Sequence, residues 1–159
     1  MDDLLRNAER YAAVFTAGDL PVAPALKLAI VACMDSRIDL FRLLGLHLGE
    51  AHVIRNAGGL VTEDTLRSLT LSQALLGTRE VMVIQHTGCG LLGEEERLRE
   101  RVAEATGVDP PFQLGAFDDV EASVRRQLQI LRSTPHLVGV DPARGFVYEV
   151  ETGRLRPVT

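Results

Sequence analysis

Cys33 and Cys89 are the two cysteines of the chain, and each follows an apolar run. Leu28-Ala29-Ile30-Val31-Ala32 leads into Cys33-Met34-Asp35-Ser36-Arg37, and Val81-Met82-Val83-Ile84 leads through Gln85 into His86-Thr87-Gly88-Cys89-Gly90. Both runs are short, rich in aliphatic and β-branched residues and bounded by polar or glycine-rich turns, the pattern of buried parallel strands. A thiol at the carboxyl end of each strand lies where open α/β sheets place their sites. The His86-x-x-Cys89 spacing lets two ligands from one turn reach one metal. Two cysteines and one histidine, with a fourth position left for water or a carboxylate, form a catalytic zinc pattern. The ordinary fate of two such thiols is to be inert core residues. A disulfide is a second option, but nothing else in the chain suggests an oxidising compartment. What favours metal is the company of Asp35, Arg37 and His86, polar groups beside strand ends that are otherwise apolar.

Asp35 and Arg37 extend the same constellation. If the stretch after Cys33 is extended, Cys33, Asp35 and Arg37 point to one side. The Asp35 carboxylate then has two uses. It can take the fourth metal position and close the site, or it can turn to Arg37, whose planar fork grips a carboxylate, and accept a hydrogen bond from a metal-activated water. Two thiolates nearly neutralise a zinc dication, which weakens its pull on that water, yet water on the metal still moves from ~15.7 toward neutrality. An isolated Asp-x-Arg is ordinarily a surface ion pair; beside a ligand cysteine the functional reading is favoured. Arg55-Asn56-Ala57-Gly58-Gly59 follows another apolar segment. For Arg55, a structural turn with an ion pair and a place at the site are equally open. His47 and His52 read as structural or exposed, and His136 takes no role. Glu94-Glu95-Glu96 reads as a solvated helix face, with Glu95 and Arg99 a minor pair.

The strings CMDSR, RNAGG and HTGCG, in that order and spacing, resemble the β-class carbonic anhydrases. The likeness runs through most of the chain to the ending Gly145-Phe146-Val147-Tyr148-Glu149-Val150-Glu151-Thr152-Gly153, and is greatest to a short subgroup with little beyond the catalytic domain. The resemblance implies zinc on Cys33, His86 and Cys89, with Asp35 either on the metal as a fourth ligand or turned to Arg37. It implies Asp35 and Arg37 as the catalytic pair, and reversible hydration of carbon dioxide to bicarbonate by a zinc-bound hydroxide. It also implies a homodimer, possibly paired into a tetramer, with the pocket at the subunit interface. Hydrolases of carbonyl sulfide and carbon disulfide occur in the wider family and need the same ligands. A reading of another class makes Asp35 a permanent fourth ligand in a non-catalytic zinc-binding module, for which Arg37 has no obvious use. Many members carry a glutamine that binds substrate from across the dimer where this chain has His47.

The remaining sequence must position these groups. At 159 residues the chain is expected to be a single catalytic domain, 1–159, that buries roughly 70% of its unfolded surface. Hydrophobic content of 46% and charged content of 25% are ordinary for a globular protein. The net charge of -5, without a basic cluster, argues against a nucleic-acid partner. No apolar run approaches a membrane span, and Met1-Asp2-Asp3-Leu4 lacks the start of a signal peptide, so a cytoplasmic location is expected. Leu4, Ala8, Tyr11, Ala12 and Phe15 share one helical face in residues 1–18, which the resemblance makes an arm over a partner subunit. Thr62 caps a helix running to Leu76, with Leu71, Ala74 and Leu75 at core spacing. Another helix begins near Leu92 with Leu98, Val102 and Ala105 inward. A last one from about Asp118 turns Val120, Val124, Leu128 and Leu131 to the core. Two or three short strands follow, with a hairpin turn at Glu151-Thr152-Gly153-Arg154. The alternation gives an α/β fold: a mainly parallel central sheet flanked by helices, with an antiparallel C-terminal edge strand.

Overall fold

The computed structural model describes residues 1–138 and 143–159. Five strands form one sheet in the order β2-β1-β3-β4-β5: β1 (Leu28–Cys33), β2 (Ala51–Asn56), β3 (Glu80–His86), β4 (Arg144–Tyr148) and β5 (Leu155–Val158). The first four run parallel, and β5 returns antiparallel through the expected hairpin, where Glu149 N–H donates to the Arg154 carbonyl at 2.8 Å. Two of the expected tail strands are thus present, and positions 139–142 lie outside the described residues.

Period-2 alternation divides the sheet's side chains between two faces. Ala29, Val31, Val81, Val83 and Val147 pack against Leu69 of α3 (Glu63–Ala74) and Val124, Leu128 and Leu131 of α5 (Val120–Ser133). Ile30, Ala32 and Ile84 point the other way, toward Ile38, Leu40 and Phe117, and Cys33 and Cys89 belong to this second cluster. Register places Cys33 opposite Asn56 and Ala32 opposite Ile84, so β1, β2 and β3 end together on one edge. The chain leaves β1 toward β2 and crosses back to β3. The gap between the ends of β1 and β3 is therefore the topological switch point, where open α/β sheets form their sites.

The expectations for two of the helices need correction. α3 ends at Ala74, and its inward face is Thr65, Leu69, Ser72 and Gln73, whereas Leu71, Ala74 and Leu75 are exposed. Ser72 faces inward because its hydroxyl is bonded to Thr78 and His52, so buried polar groups won the face that apolar periodicity assigned to leucine. The helix expected from Leu92 is α4 (Glu95–Thr106), with Leu98 and Val102 only half-buried and Ala105 exposed. It starts later because Leu91 and Gly93 are engaged by the backbone of Phe117. α1 (Asp2–Ala13) buries no residue, and Tyr11 and Phe15 stack on each other at 5.4 Å on its outer side. Short α2 (Leu40–Leu44) is capped by Asp39, whose carboxylate accepts from Arg42 N–H.

Candidate metal centre

Cys33 ends β1, His86 ends β3, and Cys89 lies in the turn just beyond it. Their Sγ and imidazole nitrogen atoms all lie within 4.8 Å of one another, and all three residues are buried. His86 Nδ1 is 2.8 Å from the Thr87 carbonyl, to which it can only donate. That bond fixes the tautomer with the Nε2 lone pair free. Nε2 is buried and finds no hydrogen-bond partner among the described residues. A buried acceptor left without a partner is costly, and a metal ion beside two thiols removes the cost. The cluster therefore fits a thiophilic divalent cation with three protein ligands.

Electrostatics point the same way. The Cys33 thiol is pulled well below its ordinary value, first by a hydrogen bond from Cys89 and then, against burial, by His86 and the backbone N–H groups of Asp35 and Gly58. Cys89 is pushed up by that same sharing with Cys33 and by burial. Their opposite directions favour a thiolate on Cys33 beside a thiol on Cys89, and a cation replaces the remaining proton when both become thiolates. Burial opposes a charge on His86, but the nearby Cys33 sulfur, the Thr87 carbonyl and the Asp35 carboxylate together carry its pKa upward.

Asp35 and Arg37 meet, though by a different route from the extended strand expected. The chain turns at Ser36-Arg37. Asp35 Oδ1 accepts from the Arg37 backbone N–H and from Nε, each at 2.9 Å, while Oδ2 accepts from Nη2 at 2.7 Å. An Asx turn thus delivers the fork-on-carboxylate geometry that alternation alone would have missed. Arg37 Nη2 also donates to the Gly88 carbonyl at 2.9 Å, tying the β1 turn to the turn that carries Cys89. Asp35 Oδ2 lies 3.8 Å from His86 Nε2, outside the three-donor cluster but facing it. The Arg37 guanidinium holds the Asp35 carboxyl well below the usual carboxylate range, so it is ionised throughout the neutral region.

Arg55, left open by its sequence context, is a brace. Its Nε donates to the Cys33 carbonyl at 2.9 Å and its Nη2 to the Asp35 carbonyl at 2.7 Å. Asn56 closes the glycine turn by bonding both the N–H and the carbonyl of Leu60. Gly59 sits at φ +62°, and a Cβ there would lie 2.9 Å from both Cys33 N and Ile84 O, so the loop can approach the strand ends only as glycine. His52 bonds Ser72 at 2.7 Å and is structural; His47 and His136 are exposed.

The minor pair expected of Glu95 and Arg99 on a solvated helix face needs correction. They do not bond each other: Glu95 accepts three backbone N–H groups, those of Leu114, Gly115 and Ala116, and Arg99 grips Asp109 and the carbonyls of Pro110 and Phe112. No local signal could have found them, since every partner lies 10 to 21 positions away.

The carbonic anhydrase family model matches residues 28–109, from β1 into the loop after α4. The chain is 44% identical over 159 residues to beta-carbonic anhydrase 1 of Mycobacterium tuberculosis, covering 99% of this chain and 97% of that one. A carbon disulfide hydrolase of Acidithiobacillus thiooxidans is 35% identical over 155 residues, covering 82% and 71%. The crystal structure of a carbonic anhydrase from Streptococcus mutans superposes with a TM-score of 0.94 at 38% identity, covering 99% and 96%. On sequence identity, coverage and superposition alike, the chain belongs to the β-class carbonic anhydrase family.

Proposed function

We propose that the protein is a zinc-dependent carbonic anhydrase that interconverts carbon dioxide and bicarbonate, with Cys33, His86 and Cys89 as metal ligands and Asp35 and Arg37 as the catalytic pair. The observation that carries this reading is the Asp35 carboxylate held by Arg37, 3.8 Å from His86 Nε2, beside a cluster of three ligands. When bound, zinc supplies Lewis acidity that makes water a nucleophile near neutral pH. Asp35 Oδ2 is placed to accept a hydrogen bond from a water on the open side of the cluster, and the Arg37 fork keeps that carboxylate from becoming a fourth ligand. Arg37 also fixes the Gly88 carbonyl, so one guanidinium orders both turns of the site. Ile38, Leu40 and Phe117 pack with the two cysteines, so the centre is backed by apolar core.

Higher identity and fuller coverage of the mycobacterial carbonic anhydrase favour carbon dioxide over carbon disulfide. Parallel assays of the zinc-loaded protein for carbon dioxide hydration and for sulfide release decide between them. Hydration no faster than buffer, with zinc bound, would leave the non-catalytic reading standing.

We further infer a homodimer. A compact monomer of 17.4 kDa exposes about 7,900 Å², whereas this chain alone exposes 10110 Å². The excess, roughly 2,200 Å², is of the order that an obligate interface covers. β2 is an edge strand, α1 buries nothing, and Tyr11, Phe15, Leu71 and Leu75 are exposed beside them. Residues 1–18 are proposed as the arm of a single catalytic unit spanning 1–159. Among the described residues no helix is long and apolar enough to cross a membrane. A cytoplasmic location, which keeps both thiols reduced, is consistent with the chemistry.

A further inference from the structure

We propose that Glu95 is a positioning residue for the ligand Cys89, acting through the segment 114–117; the inference rests on the metal reading above. Glu95 opens α4 and sets its carboxylate on the backbone of residues 114–116. Oε1 accepts from Leu114 N–H at 2.6 Å, and Oε2 accepts from Gly115 N–H at 3.0 Å and Ala116 N–H at 2.8 Å. Three consecutive backbone donors on one carboxylate make a strong and geometrically selective hold. The backbone N–H of Ala116 leads the groups that keep Glu95 below the usual carboxylate range, so it remains an acceptor.

The next residue, Phe117, carries the effect to the site. Its N–H donates to the Leu91 carbonyl at 3.1 Å and its carbonyl accepts from Gly93 N–H at 2.9 Å, a single parallel bridge. The stretch it holds is the turn in which Leu92 N–H donates to the Cys89 carbonyl at 3.1 Å. Phe117 itself is buried in the cluster that contains both cysteines. Cys33 is fixed by strand pairing and by Arg55, but Cys89 lies beyond β3 and has no ladder of its own. The 114–117 segment substitutes for the missing strand, and Glu95 holds that segment. Arg99 fixes the chain that leads into it through Asp109, Pro110 and Phe112. A three-ligand site has no spare donor, so freedom at Cys89 passes directly into loss of metal.

The test compares zinc-loaded wild type, Glu95→Ala, Glu95→Gln and Glu96→Ala, the last an exposed neighbour outside the hold. Zinc transfer to an excess of chromophoric chelator should be tenfold or more faster in Glu95→Ala and intermediate in Glu95→Gln, which keeps one acceptor oxygen. It should be unchanged in Glu96→Ala. Melting with and without zinc separates positioning from bulk stability: Glu95→Ala should narrow the gap between the two forms. Release at the wild-type rate, or an equal loss of melting temperature in both forms, overturns the proposal. If Glu95→Ala does not fold, Glu95→Gln decides by the same criteria. If wild type takes up no zinc, the metal reading fails instead. Labelling of Cys89 by an aromatic disulfide in metal-free protein then judges Glu95: faster labelling in the variant supports the hold, equal labelling ends it.

Discussion

The carboxyl ends of β1 and β3 and the flank of β2 and α3, with the separate face of α1, are opposite kinds of surface. At the strand ends polar groups are matched within one chain. Asp35 meets Arg37, Arg37 meets Gly88, Arg55 meets two carbonyls, and His86 turns Nδ1 to Thr87. On the flank, large apolar side chains lie open, with Leu75 74% and Tyr11 54% exposed. The difference teaches where a single chain is complete. The cluster of Cys33, His86 and Cys89 and the groups that orient it come from one chain, whereas edge strand β2 and the open apolar residues are left for another surface to cover. Substitutions at the strand ends should therefore change chemistry and leave association alone, whereas substitutions on the flank should do the reverse.

The largest expected effect is at the ligands. Cys33→Ser and Cys89→Ser should each lose most of their zinc, because a hydroxyl supplies no thiolate at neutral pH. Metal content per chain, measured on purified protein, checks this; full zinc in both variants would remove the metal centre from the account. Next comes Arg37→Ala, which should keep zinc yet lose activity by on the order of 10²-fold, as for loss of a positioned charge at an active site. Asp35→Asn should keep zinc and also lose activity. Wild-type hydration rates in either variant would reduce the pair to a surface ion bridge.

Gly59→Ala probes the seam between the two regions, where the loop after edge strand β2 is pressed onto the ends of β1 and β3. Overpacking against Cys33 N and Ile84 O, added to a left-handed backbone, should cost about 3 kcal/mol in urea unfolding. A change within experimental error would mean the loop retreats freely and is not part of the site's frame. The smallest effect in energy is on the flank: Tyr11→Ala with Phe15→Ala should weaken self-association by tenfold or more in sedimentation, with zinc content unchanged. Unaltered association would show that α1 is an ordinary solvent-facing helix and would place the missing cover elsewhere.

Much of the centre was legible because its determinants are local. An aliphatic run that ends in cysteine fixes both the strand and the placement of its thiol, and His86-x-x-Cys89 fits within one turn. Thr62 accepting from Thr65 N–H, the hairpin at residues 151–154 and the α5 core face were legible for the same reason. The Asp35–Arg37 contact was foreseen, but its cause was an Asx turn, because a side chain bonding its own backbone competes with continued extension.

The sequence by itself determined where Cys33, His86 and Cys89 stand, the strands that carry them and the parallel sheet, since each follows from short-range hydrophobic period and turn chemistry. Tertiary structure alone decided that Leu71 and Leu75 face outward while Ser72 and Gln73 face inward, that Arg55 braces the carbonyls of Cys33 and Asp35, and that Glu95 gathers three amides some twenty positions away. The physical reason is range. A backbone donor or acceptor can be claimed by any side chain the fold brings near, and which one arrives depends on how helices settle on the sheet, a matter of packing that no spacing along the chain encodes.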